Sequence, residues 1–259
     1  MAVVQLHRVL LELYLKPEEK EILQEYIRLL FESGGELPPN DALFLFGGAV
    51  NHCTRWINRG EIGFWKEIHS LFKEMDRLNL FFLNRGVTAA GLKNMAVVGI
   101  RMQDFDWVNH LIERYANNLP DDAFGNTESF IRGMLHISRG ENDEAERYFH
   151  RILDHSGDVF YGLDARSFLL RIYYESGNIV GLESLTESFK MYVKRNKAIA
   201  PAHKTSYIQT TKFFKQLVQI QPWDKKGLEK LKAAIARTPV FTSTQQWLLN
   251  KVDALIRAT

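Results

Sequence analysis

The chain has 259 residues, 46% hydrophobic and 25% charged, with only 7 Pro and 17 Gly. That balance fits a folded soluble protein with a sizeable core and little room for disordered linkers, as one large or two small domains. Its one cysteine, Cys53, excludes an internal disulfide and favours a reducing, cytoplasmic setting.

The formal charge of +2 hides an asymmetry. Between Lys190 and Arg237 twelve Lys or Arg stand against two acids, a net of +10, whereas residues 1–189 carry nineteen basic and twenty-eight acidic side chains, a net of −9. The first fifteen residues, MAVVQLHRVLLELYL, do not have the shape of a signal peptide, because His7, Arg8 and Glu12 interrupt the apolar run and no small-residue cleavage site follows. The longest uncharged apolar stretch, residues 42–50, falls far short of the roughly 20 needed to span a bilayer. No membrane role is expected.

Residues 16–31 read as a helix, with Pro17, Glu18 and Glu19 in the first turn and Gly34-Gly35 as its stop. A second helix, residues 41–58, follows the Leu37-Pro38-Pro39 break. From there the chain repeats itself. The turn positions 103, 140 and 177 are evenly spaced by 37 residues, and so are the small or apolar positions Val108, Ala145 and Leu182 and the preceding Ala96, Gly133 and Leu170. Each unit is one helix, a turn of about three residues, and a second helix, and the period falls in the range of helical-hairpin repeats. Phe130, Met134 and Ile137, at i, i+4 and i+7, and Leu182, Leu185 and Phe189, at i, i+3 and i+7, confirm helical spacing within the units. An earlier, degenerate copy turns at Gly60, with Trp65 and His69 following. After Pro201 the pattern gives helices at 203–219, at 224–237 with Asp224 as N-cap, and at 242–257, about twelve helices in all.

These residues resemble the tetratricopeptide repeat (TPR) family. Its pattern has a small residue midway along the first helix, glycine at the turn, alanine in the second helix, an aromatic residue four positions on, and a closing proline. Gly133, Gly140, Ala145 and Phe149 fill those places in one copy; Val108, Ile112, Tyr115 and Pro120 fill the second half of another. The chain departs from the pattern at Arg132 and Arg166, where bulky apolar residues are usual, at Leu182, where a small one is, and in a period longer than the usual roughly 34. The resemblance covers residues 60–197, between N-terminal helices at 1–59 and basic C-terminal helices at 198–259. It implies an all-α fold, one continuous right-handed solenoid of stacked antiparallel helix pairs. The TPR register would line the concave face with Lys93, Val97, Ile100, Arg101, Phe130, Met134, Ile137, Arg171 and Tyr174. That mix suits a protein or peptide partner; equally, a further helix such as the N-terminal one could pack there.

Catalytic and metal-binding patterns are missing. His52 and Cys53 are adjacent and point to different sides of a helix, and His150 and His155 are five apart, unlike the i, i+4 pair of a zinc helix. The glycine pairs 34–35 and 47–48 make no phosphate loop, Asp121-Asp122 reads as a loop or a helix start, and Cys53 reads as a buried inert thiol. No cofactor and no catalysis are expected. The sharper signal is the basic stretch, in which Lys190, Lys194, Arg195, Lys197, Lys204, Lys212 and Lys215 alternate with Tyr192, Tyr207, Phe213 and Phe214. Three readings stand together: a solvated face over an ordinary core stripe, a surface for an acidic protein, or a stacking groove for single-stranded nucleic acid. The opposite charges of the two portions also allow self-association.

Overall fold

The computed structural model describes residues 2–83, 86–115, 119, 121–155, 158–221, 223–240 and 242–258, with backbone alone at 2, 121, 122 and 155. Pro120 and the side chains of Asp121, Asp122 and His155 lie outside the described residues. The described chain is all-α, with no strand in it. Thirteen α-helices follow one another: α1 (Ala2–Leu15), α2 (Lys20–Ser33), α3 (Pro39–Asn58), α4 (Phe64–Arg77), α5 (Ala89–Arg101), α6 (Phe105–Tyr115), α7 (Asp121–Ser138), α8 (Asn142–His155), α9 (Val159–Glu175), α10 (Ile179–Arg195), α11 (Pro201–Gln219), α12 (Lys225–Ala236) and α13 (Ser243–Ala258). Single 3-10 turns at Gly34–Glu36 and Leu80–Phe82 interrupt the connections.

The helices begin where the sequence supplies a donor-satisfying group. Thr88 caps α5, Asn178 caps α10 and Asp224 caps α12, each accepting from the N–H of the glycine three residues on, at 3.0, 2.9 and 2.9 Å. The glycine lets the cap sit close: a Cβ on Gly227 would lie 2.3 Å from the Asp224 carboxylate and one on Gly181 2.7 Å from the Asn178 amide, so the capping side chain would have to shift. Asp158 caps α9 through the N–H groups of Phe160 and Tyr161.

They end in a recurring way. Gly60, Gln103, Gly140 and Gly177 all take left-handed φ, at 96°, 59°, 76° and 68°. At each, that residue's N–H bonds the carbonyl three residues back, and the next N–H bonds the carbonyl five back: Gly60 to Ile57 and Glu61 to Trp56, Gln103 to Ile100 and Asp104 to Gly99, Gly140 to Ile137 and Glu141 to His136, Gly177 to Tyr174 and Asn178 to Tyr173. This is the Schellman motif in all four copies. The evenly spaced turn positions read from the sequence are therefore one backbone structure repeated, with Gln103 adopting a conformation that glycine takes more cheaply.

Two compact units result, Met1–Ile131 and Arg132–Thr259. In the first, α1 packs on α2 and α3, α3 on α4, α4 on α5 and α5 on α6. Its core runs through Leu6, Leu13, Leu23, Tyr26, Leu45, Phe46, Cys53, Leu71 and Met75. Here α5 meets α6 closely: a Cβ on Gly99 would lie 2.6 Å from Val108. In the second, α8 packs on α9, α9 on α10, α10 on α11 and α12 on α13, and α13 also reaches back to α9 and α11. Gly133 lies against the Phe149 ring, 2.8 Å from where a Cβ would sit, and the same ring stacks on Phe168 at 5.1 Å, so α7, α8 and α9 converge on it.

Left-handed geometry separates glycines of two kinds. Gly140→Ala and Gly177→Ala are expected to destabilise by about 1–2 kcal/mol each, although no atom obstructs the new methyl. Gly47→Ala, inside α3 with equally open space and no positive φ, is expected to be neutral or to stabilise by up to about 1 kcal/mol. Denaturant midpoints of the three variants check the contrast.

Candidate partner-binding surfaces

The residues expected on a concave face are distributed as follows. In the first unit, Phe130 is buried and carries the Lys93 ammonium 4.1 Å above its ring, so it belongs to the core. Val97 is half-buried on α5, Ile100 is buried, and the exposed Arg101 lays its guanidinium 4.6 Å over the Trp65 ring of α4. In the second unit Met134 and Ile137 are half-buried on α7.

Arg171 and Tyr174, together with Glu175, share one face of α9 and meet α13. The Arg171 guanidinium lies 4.8 Å from the centre of the Phe168 ring and 5.3 Å from that of Trp247. Tyr174 packs edge-on to Trp247 and Phe214, Trp247 stacks on Phe214, and Lys251 pairs with Glu175 at 2.9 Å. A helix does pack on this part of the expected face, and it is the C-terminal one. Beside it an open cleft of about 180 Å³ remains, lined by Ile137, Asn142, Arg171, Ile172, Glu175 and Trp247. The Arg171 Nε is buried without a hydrogen-bond partner, and burial lowers its pKa to about 10 despite Glu175. A partly desolvated guanidinium held between two rings attracts a carboxylate.

The basic stretch separates into two parts. Lys190 and Lys215 both donate to Glu187, the first at 3.0 Å, and these bonds hold the Glu187 carboxyl down at about 2. Lys194, Arg195 and Lys197 are exposed at the end of α10 and make no ion pair among the described residues, as do Lys204 and Lys212 on α11. The aromatic residues are committed elsewhere. Phe213 and Phe214 are buried, Tyr192 lies under Arg166 at 3.8 Å, and Tyr207 packs on Phe189 with its pKa raised to about 12 by burial. Phe213 and Phe214 offer no face to a base, and the half-buried Tyr192 already carries a guanidinium on one face.

A polar constellation that the sequence reading missed lies between α4 and α6. The buried Asp76 carboxylate accepts from Tyr115 Oη at 2.6 Å and Trp107 Nε1 at 3.3 Å, and pairs with Arg114 Nε at 3.1 Å and His110 Nε2 at 3.5 Å. Burial first and then Asp76 raise the Tyr115 pKa well above its ordinary value. Next to it, Asp104 accepts from Lys73 at 2.7 Å and pairs with His69 at 3.2 Å. The side chains that meet the Asp76 carboxylate, Trp107, His110, Arg114 and Tyr115, all come from α6. It fastens two helices. The available signal was that Trp107 and Tyr115 put two donors on the apolar stripe of α6, which must meet an acceptor once buried.

Cys53 is buried, and burial pushes its thiol up to about 12. Among the described residues no three His, Cys, Asp or Glu side chains stand in position to hold a metal ion, and no helix is long and apolar enough to cross a membrane. No family model, curated protein or solved structure matches the chain.

Two substitutions check the buried polar groups. Asp76→Ala leaves Trp107, Tyr115 and Arg114 without their acceptor and is expected to cost about 3 kcal/mol, against about 1 kcal/mol for Tyr115→Phe. His52 is buried, edge-on to Tyr14 at 4.9 Å, with neither ring nitrogen hydrogen-bonded, and burial, then Arg55, lowers its pKa. The unfolded chain then binds the extra proton first, so stability falls as pH drops below about 6.5. His52→Leu is expected to flatten that fall in a pH series of thermal melts.

Proposed function

We propose that this chain is a non-catalytic cytoplasmic adaptor, a TPR-like right-handed superhelix that holds a peptide or helix of a protein partner on the face formed by the first helix of each pair. The observation that carries the reading is the same Schellman turn at 60, 103, 140 and 177, each joining two helices that need a neighbour to cover their apolar sides. Repeats of that kind leave one face of successive helices open to a ligand. The cleft at Arg171 supports it with chemistry: a half-buried cation with an unbonded Nε, the Asn142 amide and the Ile137 side chain suit a carboxylate-bearing residue next to an apolar one.

A second reading is favoured by one observation, the unpaired Lys194, Arg195 and Lys197 at the end of α10. Here an acidic protein, or the backbone of a nucleic acid, is drawn by charge alone, because the neighbouring aromatic rings are occupied.

The two readings separate in a capture experiment from cell extract with three baits. Arg171→Met keeps the bulk between Phe168 and Trp247 and removes the charge; it is expected to reduce capture of the partner about tenfold. Lys194→Glu with Arg195→Glu and Lys197→Glu is expected to leave capture unchanged. Equal capture by wild type and Arg171→Met removes the cleft from the account. Loss only with the charge-reversed bait, together with steep salt dependence, selects the basic surface.

A further inference from the structure

The first helix is apolar on both sides. Leu6, Val9, Leu10 and Leu13 are buried against α2 and α3. On the opposite side Val4 is 74% exposed, Leu11 60% and Leu15 74%, with Tyr14 at 51% on one flank. Phe44 of α3, 60% exposed, extends that flank by stacking on His7 with ring centres 6.3 Å apart. A helix that is apolar all round belongs in an interior, and a contiguous exposed apolar patch marks an interaction surface.

The pattern on this face identifies its occupant. Val4, Arg8, Leu11 and Leu15 fall at intervals of 4, 3 and 4 on one narrow stripe. That series reads the same in both directions, so an antiparallel pair about a two-fold axis lays the stripe evenly against itself. Laid against itself about a two-fold axis, the stripe puts Val4 opposite the partner's Leu15 and Arg8 opposite the partner's Leu11. The partner's Glu12 then falls on the same flank as Arg8, about one residue away along the axis. Arg8 has no ion pair among the described residues, and Glu12 has only a loose, exposed one, to Lys16 at 3.7 Å. On the other flank the same axis brings the partner's Tyr14 to His7 and Phe44.

We propose that the outward face of α1 is a self-association surface on which a second copy of this chain seats its own α1, antiparallel, with Arg8 paired to the partner's Glu12 at both ends. A helix of fourteen residues is about 21 Å long, so the contact lies at the small end of specific interfaces and a dissociation constant of order 1–10 µM is expected.

Sedimentation equilibrium of the full chain tests this from about 1 to 100 µM at low salt, a range that brackets the expected constant. The wild type is expected to pass from monomer to dimer across that range and Leu11→Asp to stay monomeric, with thermal melting equal to that of the wild type well below the dissociation constant, because Leu11 faces solvent in the monomer. Arg8→Glu and Glu12→Arg each place like charges together and are expected to weaken the dimer about tenfold. An equimolar mixture of those two variants restores both pairs between unlike copies and is expected to recover wild-type affinity. A wild type monomeric throughout, or a dimer indifferent to Leu11→Asp, overturns the surface. A mixture no tighter than its components overturns the antiparallel arrangement.

Discussion

The arrangement depends on how its helices stop. A helix ending in a left-handed residue reverses the chain within three residues, while its last carbonyls are satisfied by the turn's own N–H groups. The following helix has no choice but to lie alongside the one it left. With the same turn at Gly60, Gln103, Gly140 and Gly177, consecutive elements become neighbours in space, and each unit's core is built largely from adjacent helices. Gly133 against Phe149 and Gly99 against Val108 then set how closely those helices approach. No side chain at these points could be enlarged without moving a partner helix.

Polar groups hold what the apolar contacts leave loose. Asp76 gathers donors from a tryptophan, a tyrosine and an arginine of α6, so α4 and α6 are fixed by direction as well as by area. On the second unit the aromatic group of Tyr174, Phe214 and Trp247, closed by the Lys251 to Glu175 pair, does the same for α9, α11 and α13. The cleft at Arg171 lies beside the second of these groups. A recognition residue such as Arg171 gains from that neighbourhood, since its guanidinium is held between rings before any ligand arrives.

Local features were legible in the sequence, and those that depend on distance were not. The Asp224 cap, the breaks at Pro39 and Pro201, and the turn positions 103, 140 and 177 follow from residue chemistry within a few positions, although both prolines stand in the first turn of their helices and not before it. Gln103 shows that the period carries more information than the residue type, for nothing about a glutamine suggests positive φ. Asp76 and its donors are separated by 31 to 39 residues and share no local pattern. Nor does the amphipathicity of α13 reveal which helix it will cover, which is why Trp247 on Arg171 and Tyr174 was not foreseen. In the basic stretch the sequence left a core stripe and a stacking groove both open, because a ring at helical spacing looks the same whether it faces solvent or the core; Phe213 and Phe214 are in the core.

The return of α13 has a kinetic meaning. Most contacts join helices next to each other in the chain, which favours rapid assembly from many starting points. Lys251 and Glu175 are 76 residues apart, so their closure costs more chain entropy than any contact between adjacent helices. Fraying should start where assembly ends, with α13 lifting from α9 and briefly uncovering Arg171 while the rest of the second unit stays folded.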